Sequence, residues 1–473
     1  MKYHANDPPA FVSNNGKLRY QAYSLHNFRK LPQIQRLSET QRFEIEVVGH
    51  VFPFKTNSYV VEELIDWDNV PDDPMFVLTF PQRGMLREAH FREMAATLKQ
   101  GKDKAFIEQV ANRIRTQLNP HPAGQVEHNL PELNGQKLRG IQHKYRETIL
   151  FFPQQGQTCH AYCSFCFRWP QFVGINEWKI AMKEKELLVA YLEQHPEVTD
   201  VIFTGGDPMI MKSRILGDYI DALLEADLPH LRNIRIGSKS LSYWPYKFID
   251  EPDSDGVLAV FERAAKAGKH IAFMGHFSHP REMDTPAVAQ AIRRIRDTGA
   301  EIRTQSPLLR NINDTPALWA EMWQKQVQQG CIPYYLFVVR DTGAQHYFGV
   351  PLVDAWRLFQ KAYRQVSGIA RTVRGPSMSC LPGKVQVQGV ARVHSEKVLV
   401  LNMLQGKNPQ WVNRPFFARY DDKAIWLNEL KPAFGEEKFF FEDELKQMHR
   451  KSGSLWTARG DAYRDHRNFP VNI

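Results

Sequence analysis

The sequence predicts an α/β protein built on a partial (βα)6 barrel, with a helical N-terminal extension and a C-terminal segment. Two observations carry this expectation. Six short runs rich in β-branched or aromatic residues recur at 148–152, 200–203, 233–236, 270–274, 301–304 and 334–339, with helix-like stretches near 183–195, 212–225, 256–268, 286–299 and 315–329 between them. A repeat of roughly 30–35 residues is the rhythm of parallel βα units. Six units fall short of the eight that close a full barrel.

The elements are taken in chain order. Residues 1–135 form a mostly helical extension: ETQRFEIEVV and AHFREMAATLKQ have helical patterning, and prolines near 70–82 and 120–131 mark loops. This extension carries no catalytic motif and reads as a scaffold or cap. Residues 136–350 are the partial barrel. Residues 351–473 supply one more helix, a Gly/Pro-punctuated stretch (RGPSMSCLPGKVQVQGVARV), a strand around VLVLN and a polar, aromatic docking tail.

Composition narrows the class. The chain has 473 residues, 43% apolar and 24% charged, which excludes a disordered, fibrous or collagen-like protein. Its 61 basic against 52 acidic residues give a net charge of +9, compatible with nucleic acid or with acidic metabolites. No run approaches the ~18 apolar residues of a membrane span. MKYHANDPPA has no apolar signal core, and five cysteines cannot staple so long a chain, so a reduced cytoplasmic setting is expected.

In parallel sheets chemistry gathers at the C-terminal ends of the strands. Notable residues fall there in succession: the loop GQTCHAYCSFCFRWPQF, then Thr204-Gly205-Gly206-Asp207, Gly237-Ser238, His276, Gln305 and Arg340. In the loop, Cys159, Cys163 and Cys166 are spaced C-x3-C-x2-C, whereas Cys331 and Cys380 stand alone as small buried residues. Three thiolates at this spacing can face one metal centre. Structural zinc takes four protein ligands, and no fourth cysteine or placed histidine completes the set, unless a distant residue does. A 4Fe-4S cluster held by three thiolates keeps one iron open to a small chelating molecule.

The cysteine spacing resembles that of the radical S-adenosylmethionine family, and TGGDP resembles that family's glycine-rich element. HKYRETILFF, IRIGS, GHFSHP, QSPLLRNIND and PYYLF are similar to segments of the lysine 2,3-aminomutase family, covering roughly 140–400. The resemblance implies an isomerase that moves an amino group between adjacent carbons of an amino acid. It implies three cofactors: a 4Fe-4S cluster on Cys159, Cys163 and Cys166, S-adenosyl-L-methionine, and pyridoxal 5'-phosphate. Gly205, Gly206, Asp207, Ser238, His276 and Gln305 match positions near S-adenosylmethionine. Lys384, in CLPGK, matches the catalytic lysine that carries pyridoxal, although the family's run of glycines is shortened to Gly383. Tyr145 and Arg146 match a segment touching the pyridoxal ring and phosphate, and the approach from there to Cys159 is two residues longer than in the family. Arg168 matches the arginine that clamps the substrate carboxylate, as a planar guanidinium fork does. The resemblance further implies a small amino-acid substrate, an electron donor of the flavodoxin or ferredoxin type and a homo-oligomer, with neither membrane nor nucleic acid as partner.

The match breaks at substrate selection. Lysine-specific members hold the distal ammonium with two aspartates. The first position falls on Arg340, next to Asp341, and the second lies in Ser377-Met378-Ser379-Cys380, which has no acid. The glutamate-acting branch resembles this pattern better. The family's cysteine-bearing C-terminal tail is absent. Two other readings remain at this point: a family member acting on another amine or a peptide without amino migration, and a basic iron–sulfur protein that binds nucleic acid. Against the latter, basic residues are dispersed and PYYLF reads as a buried strand.

Overall fold

The structure, a computed structural model, describes residues 18–119 and 129–451. Two small antiparallel pairs come first: β1 (Ala22–Ser24) with β2 (Lys55–Asn57), and β3 (Glu132–Leu133) with β4 (Gln136–Lys137). Everything else hangs on one sheet of eleven strands. It opens with β5 (Ile141–Tyr145), antiparallel to β6 (Thr148–Phe151). Then follow β7 (Asp200–Phe203), β8 (Asn233–Ser238), β9 (His270–His276), β10 (Glu301–Leu308) and β11 (Ile332–Val338), each parallel to the last. Helices Lys185–Glu193, Ser213–Glu225, Ser254–Lys266, Pro286–Asp297, Pro316–Gln328 and Leu352–Tyr363 follow β6 to β11 in turn. The six expected βα units are all present.

Period-two burial explains the strands. In β8, Ile234 and Ile236 are fully buried while Arg235 and Gly237 between them are not. Alternate residues therefore point toward the covering helices and toward the barrel interior. Arg235 pairs there with Asp200 of β7 at 2.6 Å. The helices begin where the sequence caps them: before Pro286, Thr285 Oγ1 accepts from the Val288 amide at 3.3 Å.

Three expectations change. A seventh parallel strand, β12 (Arg374–Ser379), follows β11. Gly375-Pro376 disguised it as loop, because proline cannot donate to a ladder. β12 indeed pairs with β11 at only two positions, Tyr335 with Arg374 and Phe337 with Ser377. Next, the punctuated stretch is mostly a long strand: β13 (Gly383–Val393), β14 (Glu396–Gly406) and β15 (Pro415–Arg419) extend the same sheet antiparallel. The sheet thus runs straight through the division placed at 350. Finally, part of the docking tail is core. Phe416, Trp426, Phe439 and Phe441 are buried with Val385, Leu399, Leu401 and Trp411 in a second apolar cluster. The tail beyond residue 451, like residues 1–17, lies outside the described residues.

The N-terminal extension has the expected helices Glu39–Val51 and Glu88–Lys99, with Lys104–Leu118 in addition. The proline-marked loop at 70–82 holds a short helix, Pro74–Thr79, capped by the Asp73 carboxylate at 3.0 and 2.9 Å from the amides of Met75 and Phe76. Its apolar residues merge into the barrel's own core, so it is not a separate body.

Because this part of the tail is core, Phe416→Ala should destabilise the protein by about 3 kcal/mol, the usual cost of emptying a buried aromatic site. Chemical denaturation measures this. An unchanged unfolding midpoint would restore the docking-arm reading.

Candidate active site

The cysteine loop leaves β6 through a turn at Gln154–Gly156 and lies on the glycine-rich element that follows β7. The Asp207 amide donates to the carbonyls of Thr158 at 2.7 Å and Gly156 at 3.0 Å, and the Gly206 amide donates to Gly156 at 3.1 Å. This closeness requires glycine: a Cβ on Gly206 would stand 2.4 Å from the Thr158 carbonyl oxygen. At Gly205, φ is +136°, a conformation that side chains rarely tolerate.

Asp207 is buried and accepts five hydrogen bonds from four donors. Its oxygens take Ser238 Oγ at 2.7 and 3.0 Å, Ser240 Oγ at 3.1 Å, and the amides of Met209 and Lys239 at 2.9 Å each. Asp207 and Ser238 thus engage each other, and their side chains join the end of β7 to the end of β8. Burial pushes the Asp207 carboxyl up from its ordinary range, and the hydrogen bonds oppose that shift.

The three loop cysteines are free thiols. Burial raises all three, the Cys163 thiol to about 12, and at Cys159 the neighbouring Asp207, Cys166 and Cys163 add to the rise. Thiols gathered this way resist ionising together unless a metal takes them. Among the described residues no three Cys, His, Asp or Glu side chains converge on a single ion. Three soft sulfur donors on one loop are the donor set that a 4Fe-4S cluster takes when one of its irons is left open to a small molecule. His160, the adjacent alternative ligand, is committed elsewhere: its Nδ1 meets Ser240 Oγ at 2.9 Å, and burial lowers it to about 3.

The N-terminal extension, read from sequence as a scaffold or cap without a catalytic motif, holds this loop. Lys55 Nζ donates to the Cys159 carbonyl at 2.6 Å. Asn57 Nδ2 reaches the His160 carbonyl at 3.2 Å and the Tyr243 carbonyl at 2.9 Å, and the Tyr20 hydroxyl reaches the His160 carbonyl at 2.9 Å. The amides of Tyr162 and Ser164 donate to the carbonyls of Lys55 at 2.7 Å and Leu78 at 2.9 Å.

Below the loop, His276, Gln305 and Tyr335 lie side by side on β9, β10 and β11. The His276 ring stacks with Phe165 of the cysteine loop at 5.8 Å, and its buried Nδ1 has no hydrogen-bond partner among the described residues. Burial and Lys239 keep His276 neutral. On Tyr335, at the other end of the row, stands Lys384: its Nζ is 4.0 Å from the ring centre and 5.4 Å from that of Phe337. Lys384 is the second residue of β13 and lies opposite Ser379. Gly383 before it is forced, since a Cβ there would lie 2.0 Å from the Gln405 carbonyl. Burial, then Arg235, Arg374 and Lys144, depress the Lys384 ammonium far below its ordinary value.

Tyr145 is buried beside Ser379, and its hydroxyl lacks a well-formed hydrogen bond. Arg146 does not join it. It is exposed in the turn between β5 and β6, where its carbonyl accepts from His143 Nε2 at 3.1 Å. The cation this segment does supply is Lys144, whose Nζ donates to the Cys380 carbonyl. Sequence reasoning passed over it because only the folded sheet brings β5 to the end of β12.

Arg168 and Arg340 converge on Phe167, 5.1 and 5.3 Å from its ring centre. Arg168 Nη1 donates to Thr204 Oγ1 and, at 3.0 Å, to the Gly205 carbonyl. Burial lowers Arg168 to about 10, against the pull of Cys166 and Cys159. Arg340 Nε is 3.9 Å from Asp341 and is buried without a hydrogen bond among the described residues. Lys144 is pushed down to about 7 by burial, then by Arg340, and Lys407 to about 8 by burial.

A parallel βα barrel with three bare thiols on its first strand-end loop, resting on a Gly-Gly-Asp turn, is the architecture of a radical S-adenosylmethionine enzyme. The chain is 31% identical over 406 residues to the "Putative L-lysine 2,3-aminomutase" of Aquifex aeolicus, spanning 86% of this chain and 95% of that protein. It is 28% identical to the L-lysine 2,3-aminomutase of Haemophilus influenzae and 29% to that of Escherichia coli, over 52% and 53% of this chain and 70% of each relative. The chain belongs to the lysine 2,3-aminomutase family of radical S-adenosylmethionine enzymes, a family built around a 4Fe-4S cluster and S-adenosylmethionine. No family model matches the sequence. Among solved structures, a radical SAM methyltransferase from Sphaerobacter thermophilus is similar at a TM-score of 0.35 and 18% identity, covering 50% of this chain and 68% of that one. Among the described residues no helix is long and apolar enough to cross a membrane.

Gly206→Ala should drive the Thr158 backbone off its seat and lower the iron taken up on anaerobic reconstitution several-fold. Iron content per chain measures it, and full loading would show that the loop does not depend on this contact.

Proposed function

We propose that this protein is a pyridoxal phosphate-dependent amino-acid 2,3-aminomutase. The observation that carries the reading is Lys384: a buried amine on an aromatic floor, joined through Tyr335 and Gln305 to His276 beneath the cysteine loop. In this reading Cys159, Cys163 and Cys166 hold the cluster, fed by a low-potential donor of the flavodoxin or ferredoxin type. Gly205 and Gly206 with the unpartnered His276 and with Gln305 line the place of S-adenosylmethionine, while Asp207 and Ser238 position that wall. The cluster with S-adenosylmethionine supplies a hydrogen-abstracting radical, and pyridoxal phosphate delocalises the unpaired electron while the amino group moves.

The chain's own residues set the conditions. Burial among Arg235, Arg374 and Lys144 depresses the Lys384 ammonium and so favours the free-base form that condenses with an aldehyde. Tyr145 offers a hydroxyl free to bond a ligand, and Tyr335 and Phe337 exclude water from the amine. Arg168, fixed by Thr204 and Gly205, presents its remaining donors to the substrate carboxylate.

Arg340, Lys144 and Lys407 outnumber Asp341 at the far end, so that end favours an anion. The substrate side chain is therefore acidic or neutral polar, glutamate before lysine. A site built around a polar partner rejects its opposite by on the order of 10⁴-fold. The lysine-type alternative rests on Asp341, which shares the cleft.

Two outcomes test this. Borohydride treatment of the holoenzyme should fix pyridoxal on the peptide bearing Lys384, and Lys384→Ala should abolish the label. A label on another lysine would remove Lys384 from the site. Anaerobic turnover with S-adenosylmethionine, reductant and either amino acid should give more β-glutamate than β-lysine. The KM for glutamate should rise as the pH passes about 7, because Lys144, facing Arg340, Asp341, Lys407 and Cys380, loses its positive charge there. Faster β-lysine formation would assign the pocket to Asp341.

A further inference from the structure

Of the hydroxyls around the cysteine loop, one is aimed at a thiol. Tyr243, which ends the short helix Ser240–Tyr243 after β8, donates its hydroxyl to Cys163 Sγ at 3.4 Å. The residue cannot swing away. It is 1% exposed, its amide donates to the Lys239 carbonyl at 3.0 Å, and its carbonyl accepts from Asn57 Nδ2 at 2.9 Å.

Its ring carries a cation. Lys239 Nζ lies 4.5 Å from the ring centre, held by Glu282 at 2.6 Å and by the His276 carbonyl at 3.1 Å. A positive charge on the ring face draws electron density from the phenol and makes the O–H a stronger donor. Cys166 receives instead a backbone amide from Arg168, so the three thiols are bonded unequally.

We propose that Tyr243 is a positioning residue that sets the reduction potential of the cluster through its hydrogen bond to Cys163. A donor to a ligating sulfur disperses the negative charge that the cluster gains on reduction and so favours the reduced state. This rests on the reading that the three cysteines hold a 4Fe-4S cluster. It goes further in assigning the potential to a side chain that touches neither substrate nor iron.

The test compares wild type with Tyr243→Phe and with 3,5-difluorotyrosine at 243, all reconstituted anaerobically and titrated by spectroelectrochemistry. Removing the hydroxyl should make reduction about tenfold less favourable, a shift of about 59 mV to more negative potential for one electron. The more acidic fluorinated phenol should move the potential the other way. S-adenosylmethionine affinity should stay as in wild type. Potentials unmoved in both fully loaded variants, or moved in the same direction, overturn the proposal. If Tyr243→Phe fails to take up iron, the fluorinated protein decides alone. A wild type that loads no cluster would overturn the cysteine assignment, a result distinct from either.

Discussion

The site depends on one buried carboxylate. Asp207 gathers four donors, from Ser238, Lys239, Met209 and Ser240, and its own amide anchors the cysteine loop through Thr158 and Gly156. Three pieces that share no local sequence, the ends of β6, β7 and β8, are thereby tied at one point. Leaving any of those donors buried and unmatched would cost about 1–3 kcal/mol. The glycines flanking the carboxylate follow from the same demand, since the backbones must touch.

The pocket's second constraint is electrostatic. Protonation of Lys384 is disfavoured first by burial and then by Arg235, Arg374 and Lys144. Asp200 neutralises Arg235 on the barrel floor at 2.6 Å, whereas Asp341 stands 3.9 Å from Arg340. The interior thus grades from a balanced floor to a more positive far end, where an anionic group would be favoured over a cationic one.

Much of this was legible in the sequence, and the reason is range. The strands rest on runs of β-branched residues a few positions long, and the three cysteines lie within one loop, so both signals are local. What the sequence leaves open is tertiary. Arg146 matched a family segment yet sits in the turn after β5, where nothing buries it. Lys144, two positions earlier, meets Cys380 across 236 residues, a contact no pattern announces. Asp207 and Ser238 matched cofactor positions, but whether their side chains face a ligand or each other depends on how β7 and β8 stack. β12 was hidden by Gly375-Pro376, and the tail's aromatics read as a docking surface because their partners lie on β13 and β14.

The clamp over the cysteine loop bears on how the molecule is made. Its bonds from Lys55, Asn57 and Tyr20 span 104, 103 and 140 residues. Contacts of such long reach form late, since the entropy of closing large loops precedes any gain. The thiols therefore acquire their final arrangement only once the amino-terminal segment has returned over a nearly complete barrel. A metal centre on these thiols would then be completed together with the fold: iron supplied before that closure would meet a loop that has not yet taken shape.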